Sequence, residues 1–184
     1  MKNLNSLRDK AYKCAVAHGW HEENLSDEHF LCLVISELME AVEADRKGMH
    51  ANRDIFEYYM TQRRRDDEEF MYAFKHDIKD SVEDELSDAC IRLLDLAGLR
   101  KANLSITDEL TIRDVSFTEF MYCLCSYITN PDKSHSDWLC SHISHSLGWI
   151  FSWCTHNGID LYWFIKQKMK YNELRSFMHG GKAY

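Results

Sequence analysis

The scarcity of helix-breaking residues is the feature that most constrains this sequence. It contains a single proline, Pro131, and only seven glycines among 184 residues. Inside a helix, proline costs about 3 kcal/mol and glycine about 1 kcal/mol relative to alanine, so a chain nearly free of both is expected to be largely helical. A chain of this length can bury one hydrophobic core. The sequence therefore predicts an all-α bundle of about five or six helices, folded as a single domain over residues 1–184.

Apolar residues recur with helical periodicity along most of the chain and place the individual helices. Between residues 52 and 67 the sequence is highly charged, and it predicts either an exposed helix or a partly mobile insert. The predicted helices run from about Leu4 to His18, from Ser26 or Asp27 to Lys47, from Glu68 or Lys79 to Arg100, from Ser116 to Ile128, from Asp137 to Thr155 and from Ile159 to Phe177.

Charge and hydropathy exclude several classes of partner. The formal net charge of −8 does not favour nucleic-acid binding, which depends on basic surfaces. No apolar stretch reaches the roughly 18–20 residues that span a bilayer, and the polar N-terminus is unlike a secretory signal. The seven cysteines form no Cys-x-x-Cys pair, which is typical of reduced intracellular thiols. We therefore expect a cytoplasmic protein that binds neither nucleic acid nor membranes.

Two pairs of acidic residues share one spacing and one context. Glu37 and Glu40 lie in ISELMEAVEADRKG, and Glu85 and Asp88 lie in SVEDELSDACIRLLDLAG. Side chains three residues apart project from the same side of a helix. Each pair borders the apolar stripe of its own helix, so the sequence predicts four carboxylates close to the core of the bundle.

A hard divalent cation would explain these carboxylates. Left alone they repel one another, and burying an unpaired carboxylate costs several kcal/mol. Mg²⁺ prefers oxygen ligands, and bundles build metal sites from inward-facing acids. The alternative is that the acids are solvated and pair with basic residues such as Lys47 or Arg92. A di-iron centre is disfavoured because the sequence contains no Glu-x-x-His.

At these residues the sequence resembles the MazG-like all-α nucleoside triphosphate pyrophosphohydrolases, a superfamily that includes the dimeric dUTPases and the dCTP pyrophosphatases. Its signature is Glu-x-x-Glu on one helix and Glu-x-x-Asp on the next, which matches the two pairs. Many relatives carry a further glutamate where this chain has Ser36. Downstream, KMKYNELRSFMHGGKAY resembles the family's Lys-x-x-x-Asn-x-x-Arg and glycine-lysine tail, and the matching positions are Lys168, Asn172, Arg175 and Lys182.

The resemblance implies a fold and an activity. It implies a four-helix core, and hydrolysis of an NTP or dNTP between the α- and β-phosphates to give the monophosphate and pyrophosphate. Mg²⁺ is the implied cofactor, held by Glu37, Glu40, Glu85 and Asp88. Glu40 is our candidate for the catalytic residue that orients or deprotonates the attacking water. Relatives of this kind also suggest a homodimer or a homotetramer.

Further residues are candidates for binding the substrate. The spacing of Lys168, Asn172 and Arg175 places them on one helix face, where they can bind phosphate oxygens or the sugar. Lys182, on the tail, can close over the phosphates. Trp20 and His21 are candidates for stacking on the base. The alternatives are a basic turn that complements the helix dipole and aromatic residues that serve only packing.

Two other functions stay open at this point. The first is a helical nucleotide-binding or regulatory module without turnover. The second is an HD-type metal phosphohydrolase, suggested by the dipeptide His76-Asp77, whose activity would depend on His76.

Overall fold

The protein is built from helices. The computed structural model describes residues 3–62, 66–105 and 114–180, with no side chain described for residues 179 and 180. Within these residues there are eight α-helices, one short 3-10 helix and no strand, so the predicted all-α class is confirmed. The helices are α1 (Leu4–Ala17), α2 (Asp27–Arg46), α3 (Arg53–Gln62), α4 (Asp67–Asp77), α5 (Val82–Leu99), α6 (Phe117–Thr129), α7 (Trp138–His156) and α8 (Leu161–Glu173), and the 3-10 helix is Phe177–Gly180.

The described residues contain more helices than the five or six expected, and the difference lies before α5. The charged stretch after residue 52 forms α3 and leads into α4. Helices α4 and α5 are separate because Asp80 has a left-handed backbone, with φ +62°. Ser81 then caps α5 by accepting a hydrogen bond from the backbone N–H of Asp84. The sequence predicted that the helix carrying Glu85 starts at Glu68 or at Lys79. The observed start of α5 at Val82 is close to the later of the two.

Helix α5 is the centre of the bundle. It packs against α1, α2, α7 and α8. Its apolar side chains Leu86, Leu93 and Leu94 are fully buried. At Gly98 an added Cβ would lie 2.4 Å from the Cβ of Tyr12, so α1 approaches α5 more closely than a larger residue would allow. Because neighbouring helices cover so much of α5, the acidic side chains that it carries are buried as well.

A second, aromatic core lies between α3, α4 and α8. Its buried side chains are Phe56, Phe70, Ala73, Phe74, Ile78, Phe164 and Tyr171. The rings of Phe74 and Tyr171 stack with centroids 4.4 Å apart, and this contact joins α4 to α8. The aromatic core therefore fixes the hairpin of α3 and α4, and with it the short loop that contains Asp80, beside the acidic end of α5.

The sequence also predicted that no segment spans a membrane and that the chain folds as one domain. Within the described residues, every helix is too short or too polar to cross a lipid bilayer. The single domain over residues 1–184 stays a prediction.

Candidate functional site

One cavity brings together most of the residues that the sequence singled out. It has a volume of about 560 Å³ and is lined by parts of α1, α2, α5 and α8. This volume falls in the range of roughly 300–1,000 Å³ that is usual for small-molecule sites. The predicted site residues that line it are Trp20, Glu37, Glu40, Glu85, Asp88, Lys168, Asn172 and Arg175. Lys182 lies outside the described residues.

Three of the four predicted metal ligands converge. Glu37, Glu40 and Glu85 each offer one carboxylate oxygen, and these oxygens lie within 4.8 Å of one another. Glu37 and Glu85 are buried, with 6% and 5% of their surface exposed, whereas Glu40 is exposed. The first two acids come from α2 and the third from α5, the two helices that pack most extensively on each other. This convergence follows directly from the pairing of the two helices.

Glu85 has no counter-charge in contact with it. In the described part of the chain it accepts no hydrogen bond and forms no ion pair, although it is 5% exposed. Burial, and then the neighbouring carboxylate of Asp84, raise the pKa of Glu85 to about 8. The charged form of a carboxylate is costly in such surroundings, so Glu85 favours a bound proton or a nearby cation.

Glu37 differs from Glu85 because it has a cationic neighbour. The Nε of Arg92, on α5, donates to Oε1 of Glu37. Burial and the charge of Asp88 still raise the pKa of Glu37, and Arg92 only partly opposes them. Arg92 therefore stabilises the charged form of one ligand of the group of three while leaving the other two without a cation in contact.

The fourth predicted ligand, Asp88, is engaged by a lysine. The ammonium of Lys168 lies 2.8 Å from Oδ2 of Asp88 and 2.7 Å from Oδ2 of Asp84. Lys168 and Asp84 are almost completely buried, with 4% and 1% exposed. Burial alone would raise the pKa of Asp88, but the charge and the hydrogen bond of Lys168 outweigh it and the pKa lies below its usual value. Asp88 lines the same cavity, but as half of an ion pair.

Burial and ion pairing also compete at Lys168 itself. Burial alone would lower the pKa of this lysine, and the two carboxylates more than offset that effect, so the pKa is raised. The ammonium is therefore a permanent charge at neutral pH. Of its three N–H donors, two go to Asp84 and Asp88, and its Nζ also lies 5.7 Å from the ring centroid of Phe74.

The other two members of the predicted basic motif also face the cavity. The side-chain amide of Asn172 donates to Oδ1 of Asp88 at 3.4 Å, while its buried Oδ1 has no donor among the described residues. Arg175 follows the end of α8 and forms no ion pair with a described carboxylate. The backbone oxygen of Arg175 lies 3.1 Å from Nε2 of His18, which ties this turn to the end of α1. Asn172 and Arg175 therefore both line the cavity, and Arg175 adds a cation to it.

The two candidates for base stacking have different positions. Trp20 lines the cavity. His21 is not among the lining residues, because its Nε2 lies 2.8 Å from Oδ1 of Asp95 and its ring packs beside Tyr12 and Phe30. The structure therefore places only Trp20 where a bound base could touch it. Stacking on Trp20 stays a prediction.

Sequence reasoning did not assign several polar residues to the site. It considered Arg92 only as an ion-pair partner of the acids, and in the structure Arg92 does pair with one of them, Glu37. Asp80, Arg92 and Asp95 line the cavity, and Asp84 binds Lys168 next to it. The sequence did contain a pattern that indicates Arg92 and Asp95. Positions 85, 88, 92 and 95 form one polar stripe on an otherwise apolar helix. Asp80 had no such signal, since it reaches the site from a loop.

The residues of the group of three fit a magnesium ion. Mg²⁺ binds oxygen at 2.0–2.1 Å, so ligands on opposite sides of the ion are about 4.2 Å apart. Oxygens that already lie within 4.8 Å of one another need only small side-chain adjustments to reach that spacing. The donors are all carboxylates, the ligand type that this ion prefers, and among the described residues no cation is in direct contact with Glu85, although Lys168 is near enough to act on its pKa.

The dipeptide of the HD-type alternative lies elsewhere. The His76 side chain is 71% exposed and stacks on Tyr72, and neither His76 nor Asp77 lines the cavity. The geometry therefore gives no support to a metal site built on His76.

Comparisons with known proteins add no identification. A scan against models of protein families, a search of curated proteins and a search of solved structures each returned no match. The likeness to the MazG-like superfamily therefore rests on the sequence motifs alone and stays a prediction.

Proposed function

We propose that this protein is a magnesium-dependent nucleotide pyrophosphohydrolase that converts an NTP or dNTP to the monophosphate and pyrophosphate. The observation that supports the proposal most is Glu85, a buried carboxylate without a counter-charge in contact. It lies in the same cavity as a row of phosphate-binding side chains on and after α8. A cation requirement and an anion-binding row in one cavity suit a metal–triphosphate complex better than either ligand alone.

Three acids would hold the cofactor. Glu37, Glu40 and Glu85 would supply the oxygens, and the hydrogen bond from Arg92 orients Glu37 and favours its charged form. Bound there, Mg²⁺ supplies Lewis-acid polarisation of a phosphoryl group and offsets phosphate charge. Asp88 shares the cavity, and as a ligand it would have to share its oxygens with Lys168 and Asn172.

Glu40 is the best candidate for proton transfer. It is the exposed member of the group of three, so water in the cavity can reach its carboxylate. A carboxylate in that position can orient an attacking water and accept its proton. The buried acids Glu37 and Glu85 are less suited, because one already accepts a hydrogen bond from Arg92 and the other lies deeper.

The basic row would bind the leaving pyrophosphate. Lys168 lines the cavity, and Arg175 presents a guanidinium without a described carboxylate partner. Asn172 lines the same part of the cavity and donates to Asp88, so it would position the carboxylate beside the bound nucleotide. Apolar residues of α1 and α2, together with Trp20, line the rest of the cavity and provide a surface for the base.

A nucleotide panel with matched variants tests this function. Pyrophosphate release from NTPs and dNTPs is measured with and without Mg²⁺ for the wild type, Glu40→Gln and Glu43→Gln. Glu43 lies one turn further along α2 and pairs on the surface with Arg46 and Lys47, so it is the control. We expect Mg²⁺-dependent release by the wild type and the control, and a loss of about 10²–10⁴-fold for Glu40→Gln.

Two outcomes would contradict the proposal. If the wild type releases no pyrophosphate from any nucleotide, the non-catalytic nucleotide-binding module is favoured. If Glu40→Gln retains full activity with unchanged helicity by circular dichroism, Glu40 is not the catalytic residue.

A further inference from the structure

Arg175 needs a positioning device that Lys168 and Asn172 do not need. Those two residues lie within α8, so the helical backbone fixes the direction of their side chains. Helix α8 ends at Glu173, and Arg175 is two residues beyond that end, yet it lines the same cavity. Contacts from outside α8 must therefore hold its backbone in place.

The end of α1 supplies two backbone contacts to the turn that carries Arg175. The carbonyl oxygen of Arg175 lies 3.1 Å from Nε2 of His18, and Nδ1 of the same ring lies 2.8 Å from the carbonyl oxygen of Cys14. The backbone N–H of Met178 donates to the carbonyl oxygen of His18 at 3.2 Å. His18 is 8% exposed and lines the cavity. Residues 175–178 are therefore tied to α1 at both ends.

A side-chain contact lies between these two backbone contacts. The ring of Phe177 packs on Gly19, where an added Cβ would lie 2.4 Å from Cζ and 2.7 Å from Cε2 of that ring. Only glycine leaves room for the ring at this distance. Gly19 has a left-handed backbone, φ +82°, but so has Gly158, φ +74°, where an added Cβ would meet no described atom within 4 Å. The missing side chain of Gly19 therefore serves the ring of Phe177 as well as the turn.

The contacts with α1, and not its own conformational preference, hold the turn in this form. Met178 has a left-handed backbone, φ +46°, which is disfavoured for a residue that carries a side chain. The Phe177 side chain is 58% exposed, so it does not belong to the core. Because the turn buries little apolar surface, it can undock without unfolding the bundle.

We propose that His18, Gly19 and Phe177 are positioning residues, which dock the turn after α8 on the end of α1 and thereby hold Arg175 ready for the phosphates of the substrate. This role rests on the proposed function. A guanidinium that is in place before the ligand arrives loses less conformational freedom on binding. Docking and phosphate binding are coupled, because a ligand that contacts Arg175 favours the docked turn.

Amide hydrogen exchange at Met178 measures docking directly, because this N–H is bonded to His18 in the docked turn. The exchange rate is measured by NMR for the wild type, Phe177→Ala and Tyr122→Ala. Tyr122, on α6, is 76% exposed and does not line the cavity, so it is the control. We expect protection of Met178 to fall by about 3- to 10-fold in Phe177→Ala and to stay unchanged in the control. Inorganic pyrophosphate with Mg²⁺ should raise it in the wild type.

Kinetics separates positioning from stability. KM and kcat for pyrophosphate release are measured for the wild type, Gly19→Ala and Gly158→Ala. Both substitutions strain a left-handed backbone, but only the first one displaces the ring of Phe177. We expect KM to rise by about 3- to 10-fold in Gly19→Ala with kcat unchanged, because fewer molecules have Arg175 in place. A variant that is only less stable would have fewer active molecules, and would show a lower kcat at an unchanged KM.

The results distinguish this inference from the proposed function. If Met178 is unprotected in the wild type, or if Gly19→Ala raises KM no more than Gly158→Ala does, the inference is overturned while hydrolysis stands. If the wild type hydrolyses no nucleotide, the proposed function falls, and the exchange measurement decides the inference alone. Pyrophosphate should then raise the protection of Met178 in the wild type and not in Arg175→Gln. Equal protection with and without pyrophosphate in the wild type would overturn the coupling in either case.

Discussion

Glu85 and Asp88 are one turn apart on the same helix, yet their surroundings are opposite. Asp88 accepts hydrogen bonds from Lys168 and Asn172, and its pKa lies below the usual value despite burial. Glu85 has no partner in the described residues, and its pKa is raised to about 8. Asp88 is the more exposed of the two and yet has the lower pKa, so the difference comes from α8, which brings the Lys168 ammonium into contact with Asp88 and leaves it only near Glu85.

The comparison separates two uses of a buried carboxylate. Asp88 and Asp84 form a closed ion pair with Lys168, which holds α8 against α5. Glu85 remains open toward the cavity and toward Glu40. Burial of an acid is therefore not by itself a sign of a metal site. The sign is burial without compensation, next to other acids that face the same space.

Removing the lysine should have the largest effect on stability. In Lys168→Met, the fully buried Asp84 and the partly buried Asp88 lose their counter-charge, so we expect the free energy of unfolding to fall by about 3–5 kcal/mol. Urea denaturation of the metal-free protein measures this. Lys166→Met, an exposed lysine on the same helix, should cost less than about 1 kcal/mol. If both variants lose equally little, the ion pair does not hold α8 in place.

Neutralising Asp88 and neutralising Glu85 should change the free energy of unfolding in different directions. In metal-free protein near pH 8, Asp88→Asn leaves Lys168 with one partner fewer and should lower the free energy of unfolding by about 1–3 kcal/mol. Glu85→Gln removes repulsion from Asp84, Asp88 and Glu37 and should leave that free energy unchanged or raise it. Urea denaturation of the two variants side by side gives the difference. Equal losses would mean that Glu85 has a stabilising partner after all.

The stability of the metal-free protein should also depend on pH. The pKa of Glu85 is raised from an ordinary value of 4.5 to about 8, so the folded state binds its proton more tightly than the unfolded state does. This contribution is complete below about pH 4.5 and is lost as the pH rises toward 8. The charged groups that surround Glu85 are Glu37, Glu40, Asp80, Asp84, Asp88 and Lys168.

Thermal denaturation between about pH 5 and pH 8 measures this smaller effect. We expect the melting temperature of the metal-free wild type to fall across the range, and Glu85→Gln to show a flatter dependence. Mg²⁺ should stabilise the wild type more at pH 8 than at pH 5, because protons compete with the ion for Glu85. A wild type and a variant with the same pH dependence would contradict the assignment of the raised pKa to Glu85.

Periodicity was sufficient to predict the all-α class and to place Glu37 and Glu85 beside the core, because both depend on local spacing along a helix. Glu40 is instead exposed, and Asp88 is only partly buried. Periodicity could not predict that Lys168 binds Asp88. The two residues are far apart in sequence, and their contact depends on how α8 packs against α5. The same limit applies to His21, whose ring is held by Asp95 instead of lining the cavity.

The position of Asp80 in the cavity could not be predicted from local sequence patterns, for a different reason. A helix that started at Lys79, one of the two predicted starts, would include Asp80 in its first turn, whereas the backbone of Asp80 is left-handed. Its approach to Asp84 and Glu85 depends on the aromatic core that fixes α3 and α4. A loop residue has no helical periodicity, so its sequence position does not predict that it lies near a site.

The most direct test of the uncompensated acids is a calorimetric titration with Mg²⁺ near pH 8, comparing the wild type with Glu85→Gln. The account predicts saturable Mg²⁺ binding by the wild type and no measurable binding by Glu85→Gln, with both proteins equally helical. If the wild type binds no Mg²⁺, or if Glu85→Gln binds it as tightly as the wild type, Glu85 does not hold a metal and the account is wrong.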